Sequence, residues 1–148
     1  MPDTVNKTGE LAGAIYKNVR MGADMIVTLM PKIDDQELKS CVSQQLASYE
    51  KYAAKVKKLI SAAGDEPHEE SPFSKWMAKM GIQMNTMTDS TKSHIAEMMI
   101  QGSTMNVTDL LRKIHEAQDS DGGSSELSLA RELVSFEENN IEKLKEHL

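Results

Sequence analysis

Apolar residues recur at every third or fourth position through most of the chain, the period of a helix that buries one face. Leu11, Ile15, Val19, Gly22, Ile26 and Leu29 form the first such stripe and predict a helix over Thr4–Met30, with Pro31 just past its end. Asp34 followed by Glu37 resembles a capping box and opens a second helix that runs to Ala63. Its stripe is Leu38, Val42, Leu46, Tyr49, Ala53, Val56 and Ile60, and Gly64 suits the position after its end. An acidic connector, Asp65–Ser71, leads to Ser71-Pro72, read as cap and first position of a short helix over 72–86. The Thr/Ser/Asp-rich stretch Thr86–Ser93 interrupts the pattern before a third long helix, Asp89–Ala117. Ile95, Met98, Met99, Gly102, Met105 and Leu110 make its stripe, widened by Val107 and Ile114. Gln118–Ser124 is a turn, and Ser124 or Ser125 caps a last helix that continues to the end of the chain.

No stretch alternates as a strand does. Four long amphipathic helices predict an all-α, single-domain antiparallel four-helix bundle over 1–148. The 65–88 segment is long enough to carry the chain from one end of the bundle to the other, which would set the second and third helices parallel. Gly9, Gly13 and Gly22 are either small positions where a neighbouring helix could approach closely or simply three tolerated glycines.

One position breaks the pattern. On the last helix Leu127, Ala130, Val134, Ile141, Leu144 and Leu148 share a stripe, and Glu137 falls in its middle at ~100° per residue. A buried carboxylate must be protonated, paired, hydrogen-bonded or metal-bound. Asn18 and Asn106 also lie within stripes, and Glu50 lies on a stripe flank, about 80° from its centre at ~100° per residue. With turns near 32 and 121, each hairpin brings an interior Asn to the height of one of these Glu residues. The pattern therefore predicts a mid-bundle polar cluster of Asn18, Tyr49, Glu50, Asn106, Glu137 and Asn140.

Composition narrows the function classes. With 17 Lys+Arg against 23 Asp+Glu the chain carries a formal charge of −6, and no basic patch with interleaved aromatics points to nucleic acid. The longest apolar runs fall far short of the ~20 residues of a membrane span. The single Cys41 excludes an intrachain disulfide framework. The N-terminal MPDTVNKTGE lacks the apolar core of a signal peptide. The expectation is a cytoplasmic protein that binds neither nucleic acid nor membrane. Methionine is common, at eleven; Met77, Met80, Met84 and Met87 continue a line begun by Phe73. Such a line suits a soft metal such as Cu(I), but seam spacing without interleaved Cys or His favours thioethers filling a helix interface. His94 and Glu97, three residues apart, are a candidate metal pair, although Glu97 points nearly opposite the stripe. Phe73 and Trp76 either cap one end of the core or form an exposed patch.

Ferritin-like di-iron proteins place a carboxylate on each of two helices and a Glu-x-x-His on each of the other two. Here Glu50-Lys-Tyr-Ala53 and Glu137-Glu-Asn-Asn140 stand on the second and fourth helices, with Asn18 and Asn106 on the first and third. The chain resembles a ferritin-like bundle with a degenerate di-metal site, and SHIAEMMIQGSTM with EENNIEKLK resembles small bacterial ferritin-like proteins. The resemblance implies a bundle with a long crossover. Three functional readings follow. The first is a non-enzymatic bundle without cofactor, acting as a homodimer or other homo-oligomer or through a protein partner. The second is a metal-binding or metal-dependent redox protein holding iron, manganese or zinc on Glu50 and Glu137. The third is a Met-lined core for an apolar ligand. Two carboxylates without imidazole make a poor cage for two divalent ions, so the residue types favour a hydrogen-bond network that fixes helix register.

Overall fold

The computed structural model describes residues 2–62, 64, 75, 78, 89–118 and 124–148, with backbone only for 2–10 and 124. Of the expected short helix over 72–86 only Lys75 and Ala78 are described, both helical and exposed; its methionine line, Phe73 and Trp76 lie outside the described residues. Among the described residues there are four long helices and no strand: α1 Pro2–Leu29, α2 Gln36–Ala62, α3 Lys92–Gln118 and α4 Ser124–Lys145. None of them is long and apolar enough to cross a membrane.

The helix ends follow local chemistry. Pro31 sits in a 3₁₀ turn, Met30–Lys32, that closes α1, and Ile33 turns extended. That turn takes up one residue more than expected, so Asp35 rather than Asp34 caps α2: its Oδ2 accepts from Leu38 N–H at 2.8 Å. Gly64 takes φ 79°, the left-handed conformation that glycine adopts without strain, and donates to Ser61 O at 3.0 Å. α3 begins three residues later than expected. Asp89 Oδ1 accepts from Thr91 N–H at 3.0 Å and Thr91 Oγ1 from His94 N–H at 3.2 Å, so these side chains satisfy the backbone outside the helix. α4 ends at Lys145, and the last three N–H groups each reach back three residues. Leu148 is accordingly 61% exposed, not part of the buried stripe.

The predicted faces are otherwise largely buried, with Leu46, Ala53, Val107 and Ile141 half-buried. Leu11, Ile15, Val19, Ile26, Leu29, Leu38, Val42, Val56, Ile95 and Leu110 are all but inaccessible, each contributing about 1.5–3 kcal/mol by burial. Met105 departs from expectation at 38% exposure. The buried line of α3 passes through Asn106 instead, and Met105 falls to its side. On α4, Leu129 and Leu133 are buried as well as Leu127, Ala130, Val134 and Leu144, because α4 packs against α3, α2 and α1.

α1 packs on α2 and on α3, and α4 on α3 and on α2, while α2 and α3 make no comparable contact. Specific pairs fix the heights. Gly22 lies against the Tyr49 ring, and Lys57 Nζ sits 5.8 Å from the Tyr16 ring. Tyr49 meets Phe136, and Lys55 Nζ lies 3.9 Å from Glu132. Met25 covers Gly102, and Asn18 reaches Asp109. In each of these pairings residue numbers rise along one helix as they fall along the other.

Candidate functional site

The four helices meet in a polar cluster centred on Glu137, which is fully buried. Tyr49 Oη, from α2, donates to Glu137 Oε1 at 2.7 Å. Asn106 Nδ2, from α3, donates to Glu137 Oε2 at 2.8 Å and to the Asn18 backbone carbonyl of α1 at 3.3 Å. Asn18 Nδ2 donates to Ala14 O at 2.9 Å and to Asp109 Oδ2 at 3.1 Å. An amide group has two N–H donors, and both Asn106 and Asn18 use the pair. Ser103 and Asn140, also buried, face the same centre. Asn140 Nδ2 is the exception: it is buried and finds no hydrogen-bond partner among the described residues. Its amide lies near enough to bias Glu137 and Tyr49 without completing that bond.

Position follows from packing. Tyr49 is a stripe residue of α2 whose ring fills the space left by Gly22, where an added Cβ would lie 2.7 Å from Oη. On its other side the ring stands edge-on to Phe136, centroids 5.1 Å apart and planes at 86°. Held on both sides, the phenol points at the α4 carboxylate.

Every hydrogen-bonding partner of Glu137 is uncharged. Burial therefore dominates and raises its carboxyl above the usual range, while the bonds from Tyr49 and Asn106, with the Ser103 hydroxyl and the Asn140 amide close by, pull it part of the way back. Burial also pushes the Tyr49 phenol well above its ordinary value, and the adjoining carboxylate adds to that. The arrangement can hold a proton or a charge in the core and couple it to the spacing of four helices.

Five of the six residues expected in the cluster are buried there: Asn18, Tyr49, Asn106, Glu137 and Asn140. Glu50 is not. It is exposed, because the step from Tyr49 turns it ~100° away once the Tyr49 ring is fixed against Gly22. Glu50 and Glu137 therefore do not form the expected metal pair. His94 is half-buried and Glu97 exposed, and among the described residues no three His, Cys, Asp or Glu side chains gather closely enough to hold a metal ion. Asn18 stands one turn from Gly22, which meets the Tyr49 ring, at the height expected for it; its carbonyl accepts from Asn106 and its amide donates to Asp109. Sequence reasoning missed Ser103, Asp109 and the buried Gln45. Their spacing carried a signal: Ser103 and Asp109 lie three residues either side of Asn106, and Gln45 one turn before Tyr49.

Beside the cluster is a cavity of about 10 Å³ bordered by Met21, Met25, Met99, Gln45, Ser103 and Asn106, with Gly22, Gly102, Ile26 and Tyr49 completing its wall. It has room for about one water molecule, not for an organic ligand.

No protein-family model, curated protein or solved structure matches the chain.

Proposed function

We propose that the chain is a ferritin-like four-helix bundle in which a carboxylate–phenol–amide network occupies the mid-height position of a di-metal centre. It acts without catalysis, by association with a second copy or a protein partner. Neighbouring helices whose residue numbers run in opposite senses, with α2 and α3 in far less contact than the other pairs, support an antiparallel bundle with a long crossover between α2 and α3. The observation that carries the reading is Glu137: both its oxygens are taken by uncharged donors, and the other expected carboxylate, Glu50, faces solvent. A divalent ion there would have to displace Tyr49 and Asn106 and would find one carboxylate for two charges. Exposed Val27, Met105 and Leu111, on the paired helices α1 and α3, support association as the mode of action.

Two measurements test this. Protein purified without added metal should contain well under one equivalent of iron, manganese or zinc, and light scattering should show a dimer, a larger oligomer or a co-purifying partner. A full equivalent of divalent metal that disappears in Glu137→Gln would replace this proposal with the metal-dependent one. A strict monomer at high concentration, with no partner, would remove the association half.

A further inference from the structure

Met21 and Met25 stand one turn apart on α1, and Met99 faces them from α3. All three are at most 5% exposed and border the same small cavity. Gly22 and Gly102 stand in the cavity wall. Around Gly102 two of the thioether side chains converge: a Cβ placed there would lie 3.2 Å from Met25 Sδ and 3.7 Å from Met21 Cε. Gln45, Tyr49, Ser103 and Asn106 add oxygen or nitrogen atoms to the same wall. Two of them, Tyr49 and Asn106, also bond the Glu137 carboxylate.

We infer that this cavity is a binding site for a single soft monovalent metal ion, Cu(I) under reducing conditions, with the thioethers of Met21, Met25 and Met99 as ligands. The volume of about 10 Å³ admits one small ion. Thioether donors select Cu(I) over the divalent ions that prefer oxygen and imidazole. One positive charge is also what the neighbouring carboxylate, with its uncharged partners, can offset. Three methionines from two helices border this one cavity and are distinct in sequence from the 77–87 line, and none of the ligands is a carboxylate.

The test uses the full chain with methyl-labelled methionine, titrated with Ag(I) as a redox-inert probe and with Cu(I) under anaerobic, reducing conditions. Of the eleven methionine methyl signals, those of Met21, Met25 and Met99 should move together and saturate with one ion. Affinity is read against a chromophoric Cu(I) chelator in a Cys41→Ser background, which removes the competing thiol. There, Met25→Leu and Met21→Leu should each weaken binding by roughly tenfold or more, while Met105→Leu, an exposed position, leaves it unchanged. Leucine conserves volume, and the wild-type methyl shifts decide the matter even if a variant does not fold. Shifts confined to other methionines, binding unaffected by Met25→Leu, or no binding above the chelator would overturn the assignment and leave the space to a water molecule.

Discussion

Tyr49→Phe removes one oxygen from the centre of the molecule and almost nothing else. The ring keeps its edge-on contact with Phe136 and its seat on Gly22. What is lost is the 2.7 Å bond to Glu137 Oε1, and Glu137 stays fully buried. A bond to an ionised carboxylate is worth about 1.5–3 kcal/mol and one to a neutral acid about 0.5–1.5. The cost should therefore depend on the protonation of Glu137. Its carboxyl is already raised by burial, and the Tyr49 bond acts to lower it, so the variant raises it further. A carboxyl raised in the folded state contributes stability that is fully present below the unfolded value of about 4.3 and is lost as pH rises through the folded value. In Tyr49→Phe that loss continues to higher pH than in the parent. The difference between the two proteins should be about 1 kcal/mol near pH 5 and about 2–3 kcal/mol near pH 8. For a chain of this length about 2 kcal/mol corresponds to a fall of roughly 4–8 °C in Tm. Urea unfolding followed by far-UV circular dichroism at several pH values gives the comparison, with an unchanged m-value as the check on two-state behaviour. An equal loss at both ends of the range, or none, would refute the coupling of the phenol to a buried charge.

Other substitutions probe separate parts of the argument. Glu137→Gln keeps the shape, never ionises, and can donate to Tyr49 Oη while accepting from Asn106. It should flatten the pH dependence and raise stability near pH 8, and urea titration showing lower stability at every pH would mean that the ionised network is net favourable. Gly22→Ala drives a methyl group into the Tyr49 ring and should destabilise by about 1–3 kcal/mol in the same assay. Gly13→Ala meets nothing within 4 Å and should stabilise by about 0.5–1 kcal/mol through helix propensity; similar signs for the two would break the packing argument. Asp35→Ala removes the cap on Leu38 N–H and should lower Tm by the equivalent of about 1 kcal/mol, whereas Asp34→Ala should change little.

The sequence made the helices and their inner faces legible because apolar spacing alone specifies them. Glu137 was legible for the same reason, as a carboxylate at the centre of a leucine-rich stripe. Glu50 was not: a residue on a flank is turned inward or outward by whichever neighbour claims the core, and here the Tyr49 ring claimed it through Gly22. Asp35 displaced Asp34 as cap because a 3₁₀ turn, which hydrophobic spacing does not encode, took up one residue. Ser103 and Asp109 escaped notice because a small hydroxyl and a half-buried carboxylate leave no gap in an apolar pattern. Which helix touches which is a tertiary property, and only paired contacts such as Asn18 with Asp109 reveal it.

The seat of the Tyr49 ring on Gly22 ties two distant points of the chain to a third at Glu137. Descendants of this sequence are not free to drift at these three places separately. A lineage that acquires a side chain at position 22 must surrender the aromatic at 49, and the acid at 137 then loses its phenol and becomes a burden to be replaced. Positions 22, 49 and 137 should therefore be inherited as a set or abandoned as one.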